Sequence, residues 1–94
     1  MLERNYRRRQ GEIDIIAREG DTLVFVEVKT CRSASFGEPE NWVDFRKQQR
    51  IGRAAACYLQ QHNLEETPCR FDVVAVTLKG PEAMVRHIRD AFWL

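Results

Sequence analysis

The stretch GEIDIIAREGDTLVFVEVKT, Gly11 to Thr30, restricts what this chain can become more than any other. Ile13, Ile15 and Ala17 alternate with Glu12, Asp14 and Ile16, the period of two that gives a strand unlike faces. Glu19-Gly20-Asp21 supplies a tight turn, its glycine free to take the positive φ that a short hairpin needs. Leu23 to Val28 is then strongly apolar and β-branched or aromatic, as expected of a strand covered on both faces. The end of that strand breaks the pattern. Glu27 and Lys29 share a face with Leu23 and Phe25, while Glu12 and Asp14 share a face of the preceding strand. Three carboxylates and a lysine at the tips of adjacent buried strands are costly to desolvate unless something compensates them, and a divalent cation would.

A chain of 94 residues is expected to form a single domain, 1–94. Its net charge of +1 excludes partner recognition by overall charge, so any electrostatic steering must come from local clusters. The 3 cysteines, Cys31, Cys57 and Cys69, are odd in number and lack paired short spacing. They argue against a disulfide framework or a zinc site and fit a reducing cytoplasm. No apolar run approaches the roughly 18 residues that span a membrane, so no membrane partner is expected.

Leu2 to Arg9 is short and basic, and the turn at Arg9-Gln10-Gly11 makes it an antiparallel strand leading into the hairpin. Arg7, Arg8 and Arg9 read equally as a solvated edge that discourages edge-to-edge pairing and as a phosphate-contacting patch. Cys31 to Glu40 is a loop that leaves the strand end where Glu27 and Lys29 sit. Arg32 in that loop is a candidate phosphate contact, although such residues are common in surface loops. Asn41 to Gln61 is a helix, with Asn41 as N-cap, Asp44 in the first turn, and Asn63 as a left-handed end. Ile51, Ala54, Ala55, Tyr58 and Leu59 form its apolar stripe. Arg46, Arg50 and Arg53 share another face, either solvated or part of a groove that tracks a polyanion. Arg70 to Leu78 is a second buried strand, in which Asp72 caps an edge or pairs with an arginine and has no catalytic role. Ala83 to Leu94 fits a helical stripe and an edge strand alike. His62 and His87 read as structural.

An acidic residue on one strand, followed by Glu-X-Lys closing the next, has a defined chemical use. Asp14 and Glu27 offer hard oxygen ligands suited to Mg²⁺ or Mn²⁺, and the backbone carbonyl of Val28 offers another. Lys29 would stand beside the metal, orienting a water or stabilising charge on a phosphoryl oxygen, with Glu12 as a further ligand or base. This pattern resembles the PD-(D/E)XK nuclease superfamily, with its restriction-endonuclease-like fold. LERNYRRRQGEIDIIA, TLVFVEVKT, the FGEP loop, AAACYL, RFDVVAV and HIRDAF, which reach nearly the whole chain, are similar to the YraN-type endonuclease-like family.

The resemblance implies an α/β fold, a mixed sheet of about five strands flanked by helix, and it tips the tail toward a strand around Met84 to Arg89. It implies a metal-dependent nuclease hydrolysing phosphodiester bonds in DNA, branched or structured DNA included. Arg7, Arg8, Arg9, Arg32, Arg46 and Arg50 would then contact nucleic acid. The alternatives are a nucleic-acid-binding domain without turnover, or a buried ion-pair network of purely structural use. The resemblance also implies an N-terminal helix ahead of the segment matching Leu2 to Arg7, often with an acidic residue that completes the site. This chain begins at that segment. A sheet face left without its helix would be apolar and exposed, so a homodimer is expected.

Overall fold

The computed structural model describes residues 1–31 and 43–92. The chain runs β1 (Glu3–Arg8), β2 (Gly11–Glu19), β3 (Thr22–Cys31), α1 (Phe45–Gln61), β4 (Cys69–Lys79) and β5 (Glu82–Phe92). The strands form one sheet in chain order, antiparallel throughout except for the parallel β3–β4 pair. That pair requires a crossover, and α1 lies within it. A mixed five-stranded sheet with one helix is therefore the architecture, as expected. Both β2–β3 and β4–β5 turn on glycines in the left-handed region, Gly20 and Gly80, each at φ 61°.

The helix lays Ile51, Ala54, Ala55 and Tyr58 onto the sheet. Beneath it an aromatic chain crosses the strands. Tyr6 meets Tyr58 edge-on at 5.4 Å, Tyr58 meets Phe25 at 6.2 Å, and Phe71 stacks between Phe25 at 5.5 Å and Phe92 at 5.1 Å. Such pairs add about 0.5–1.5 kcal/mol each beyond the area they bury. The expected helix start is corrected. Helix α1 begins at Phe45 with Asp44 as its N-cap, the Asp44 Oδ1 accepting from the Lys47 amide at 2.8 Å, and Asn41 lies outside the described residues. Asp caps as well as Asn does, and nothing in the sequence ranks one above the other. The C-terminus ends as expected, Asn63 at φ 56° with the Leu64 amide reaching back to the Leu59 carbonyl at 2.7 Å.

Strict alternation in β2 is also corrected. Ile13 and Ile16 are both buried in the helix-side core, although three residues apart they should oppose each other. Ile13 pairs with Tyr6 and Ile16 with Phe25, so the strand changes phase between them. The pairing of Arg4 with Ile15 and Tyr6 with Ile13 sets Asn5 across from Asp14, and Asn5 takes φ 52°. The phase change therefore falls at Asp14.

On the face away from α1, Val24 and Val26 are nonetheless buried, and Asp72 lies on the same face. The large exposed apolar side chains of the β4–β5 half, Leu78, Met84 and Val85, lie instead at its far end, with Met84 and Val85 on the outer strand β5 at 66% and 67% exposure. That strand is longer than its apolar pattern suggested and carries a bulge opposite Phe71 to Val73. Asp90 sits in the bulge at φ 56°, its amide donating to Asp72 Oδ1 at 2.9 Å.

Candidate active site

Strands β2 and β3 are paired from Glu19 opposite Thr22 to Ile15 opposite Val26. One step further, continued pairing would set Asp14 against Glu27. There a side chain takes over from the ladder: Asp14 Oδ2 accepts from the Val28 amide at 2.7 Å. The phase change in β2 aims Asp14 across the strand gap, and the bond to Val28 fixes one of its oxygens.

Glu27 lies on the Phe25 face of the central strand, 7% exposed. Burial pushes its carboxyl up to about 7, the hydrogen-bond contact with Asp14 adds to this, and Lys47 pulls against both. Asp14 and Glu27 are thus in contact. Lys47 reaches down from the first turn of α1, its Nζ 2.9 Å from Glu27 Oε2. The approach is a charge contact and not a well-aimed hydrogen bond, because that buried oxygen has no directed donor. The close contact with Glu27 raises the Lys47 ammonium, and the charges of Glu27, Asp14 and Glu12 work in the same direction. The first turn of α1 holds no acidic residue, and Arg46 and Lys47 stand where the helix dipole disfavours cations. Glu27 compensates the lysine.

Two cavities flank Lys47. One of about 160 Å³ is lined by Glu27, Val28, Lys29, Val43, Asp44 and Lys47. The other, about 220 Å³, is lined by Glu12, Asp44, Arg46, Lys47, Arg50 and Ile51. Asp44 and Lys47 belong to both and form the partition. The second cavity depends on a close approach of backbones. A Cβ on Gly11 would lie 2.1 Å from the Arg50 carbonyl oxygen, so only glycine lets α1 settle on β2 there.

Of the four side chains expected to converge, three do so. Asp14 and Glu27 are in contact and half-buried Lys29 lines the Glu27 cavity, with Val28 beside it. Glu12 is the correction: it lines the neighbouring cavity and pairs with Arg7 at 3.4 Å, because it precedes the phase change that turns Asp14 toward β3. Among the described residues no three His, Cys, Asp or Glu side chains gather closely enough to hold a metal.

The basic residues divide. Arg46 and Arg50 line the second cavity. Arg8 lies 4.2 Å from the Tyr6 ring centre and bonds Gln61 at 3.1 Å, so it serves the β1–helix contact; Arg9 is exposed in the turn. Arg32 lies outside the described residues. Lys47 is the residue that sequence reasoning missed. Its signal was a lysine in a helical first turn, hidden because the helix was started at Asn41.

A family model described as the uncharacterised protein family UPF0102 matches residues 1–76. A UPF0102 protein of Syntrophus aciditrophicus is 53% identical over 94 residues, covering 100% of this chain and 74% of the relative. One of Rhodococcus opacus is 47% identical over 93 residues, covering 98% and 79%, and one of Geobacter sulfurreducens is 46% identical over 95, covering 100% and 74%.

Proposed function

This chain belongs to the UPF0102 family, and from that premise we propose that it is a Mg²⁺- or Mn²⁺-dependent nuclease of the PD-(D/E)XK kind, acting on DNA. The observation that carries the reading is the contact between the Asp14 and Glu27 carboxyl groups just past the end of the β2–β3 ladder, with two lysines at the same place. The donor set fits a hard cation that keeps several of its waters: two carboxylates and the nearby Val28 carbonyl. The buried Glu27 Oε2, without a directed donor, fits it too. Asp14, Glu27 and the Val28 carbonyl would hold the metal, which would supply Lewis-acid polarisation of the phosphoryl group and a more acidic water.

The protein's own groups do the rest. The Val28 amide locks Asp14 in orientation, so the site is built before substrate arrives. Lys29 stabilises the charge that develops on a phosphoryl oxygen as water adds to phosphorus and the ester oxygen leaves. Arg46 and Arg50 in the second cavity hold a neighbouring phosphate of the same strand. Glu12 stays close enough to influence Lys47 but acts from the side. Self-association as a homodimer forms part of the reading, supported by the exposed Met84 and Val85 on the outer strand; sedimentation of a monomer at micromolar concentration would remove that part.

Plasmid, single-stranded and junction DNA incubated with Mn²⁺ are expected to be cut, and Glu27→Ala and Lys29→Ala to lose at least about 100-fold in rate. Equal cleavage by the variants would overturn the reading. A second reading, a nucleic-acid-binding domain without turnover, draws on the ion pair that Glu27 already makes with Lys47. Salt-sensitive DNA binding without cleavage under any metal would select it.

A further inference from the structure

On the reading just given, in which Asp14 and Glu27 hold a divalent cation, we infer that Lys47 occupies the place of that cation in the metal-free protein, and that it gives up the place when metal enters, turning toward the niche lined by Arg46 and Arg50. Lys47 Nζ stands 2.9 Å from Glu27 Oε2, an oxygen buried without a directed hydrogen bond. Glu27 also meets Asp14, a second carboxyl. One ammonium therefore does for two acidic groups what a metal would do, with weaker geometry.

The exchange requires only a side chain to move. Asp44 caps the Lys47 amide and holds the backbone of that turn. The Lys47 side chain is 53% exposed and borders both cavities, so its four-carbon stem has somewhere to go. The driving force is electrostatic. The helix dipole and the adjacent Arg46 both oppose a cation in this turn, and Glu27 is the group that holds it there. A dication on Glu27 replaces that attraction with repulsion. Lys47 already borders the cavity of Arg46 and Arg50, which Glu12 and Asp44 also line; released from Glu27, its ammonium turns fully to a phosphate there, and three cations then face two carboxylates. Metal and phosphate-bearing strand consequently bind cooperatively, each raising the affinity for the other by the same factor.

Crystals of the full chain soaked in Mn²⁺ test the exchange directly. The expected result is an anomalous peak between Asp14 and Glu27, with Lys47 Nζ moved beyond ion-pair distance of Glu27 Oε2, about 4 Å. Calorimetric titration supplies a second measure: Lys47→Met should bind Mn²⁺ about tenfold more tightly than the wild type. Manganese in place with Lys47 still paired to Glu27 would overturn the exchange and leave the metal reading standing, as would equal or weaker binding by folded Lys47→Met. No peak and no heat in either protein would remove the metal reading itself, and the exchange with it.

Discussion

Two carboxylates are buried in this sheet, and their surroundings could hardly differ more. Asp72, 0% exposed, accepts from Arg70 Nε at 3.1 Å and the Asp90 amide at 2.9 Å, with His87 Nε2 at 2.8 Å. Burial alone would push its carboxyl up, but the Asp90 amide, Arg70 and His87 outweigh it and hold the group below the usual range. Arg70 and Arg89 both continue to Glu19, so the charges close into a network. Glu27 has one lysine and another acid, and burial wins. Asp72 is surrounded by donors, whereas Glu27 is left short of a cation, as the proposed metal site requires. The pair also separates β4–β5, where Asp72 fastens a bulge, from β2–β3, where the ladder opens around Asp14 and Glu27.

The largest test removes each acid in turn. Asp72→Ala leaves a guanidinium, an imidazole and a backbone amide facing a void, a loss of about 3–5 kcal/mol. For a domain of this size that corresponds to a fall in Tm of more than about 10 °C. Glu27→Gln keeps the shape and removes a strained charge, so at pH 8 its melting temperature should equal or exceed that of the wild type. Thermal melts of both variants decide this. If Glu27→Gln melts as low as Asp72→Ala, the two acids are alike and the functional reading of Glu27 loses its ground.

The pH dependence should show the same contrast with opposite signs. Folded Glu27 titrates near 7 against 4.5 when unfolded, so between those values the native state holds a proton that the unfolded state has released. Stability from this group falls as pH rises from about 4.5 to about 7 and is flat above, by at most about 3 kcal/mol. Asp72 is depressed below 3.8, so its contribution is present above that value and lost only as pH falls through its folded pKa. Denaturant midpoints of metal-free protein from pH 5 to 8 isolate the Glu27 limb, and Glu27→Gln should flatten it. Saturating Mn²⁺ should also flatten it, since the metal needs the deprotonated form.

A smaller effect tests how the helix is set over the site. In Gly11→Ala the new methyl meets the Arg50 carbonyl oxygen, and α1 must shift away from β2 at a cost of about 1–3 kcal/mol. Lys47 rides on the same helix, so its hold on Glu27 should loosen and the midpoint of the pH profile should move upward. The Asp72 network, anchored in β4 and β5, should not respond. An unchanged midpoint with normal stability would mean that helix and site are independent.

How much of this was legible in the sequence follows from the same division. The hairpin, both buried strands, the apolar stripe of α1 and the pairing of Asp72 with an arginine follow from period and turn chemistry, which are local. Asp14 and Glu27 were found because strand pairing converts a spacing into a contact. Glu12 was grouped with them wrongly, because alternation holds only while the strand keeps its phase, and Asn5 across from Asp14 marks where it does not. Periodicity could not resolve residues 83–94, since Met84, Val85, Ile88, Ala91 and Phe92 suit either period; pairing with β4 decides it, and such pairing is a long-range fact. Lys47 was illegible for a related reason: a charged residue three positions past a cap becomes meaningful only when the cap is known.

The smallest test acts on that cap. Asp44→Ala removes the acceptor for the Lys47 amide and should lower stability by about 1 kcal/mol, the usual cost of an N-cap. A change of that size says little alone. Its value lies in what else moves, since fraying of the first turn frees Lys47 and removes its pull on Glu27 while the contact with Asp14 stays. The Glu27 midpoint should therefore rise above 7 while the acid limb from Asp72 stays where it was. Asp44 also carries a negative charge beside the site, and losing that charge would ease Glu27 ionisation and shift the midpoint down. Asp44→Asn separates the two, because it keeps a capping oxygen and discards the charge. If Asp44→Ala raises the midpoint and Asp44→Asn does not, the cap acts on Glu27 through the position of Lys47; if both lower it, charge alone links the helix start to the carboxyl pair.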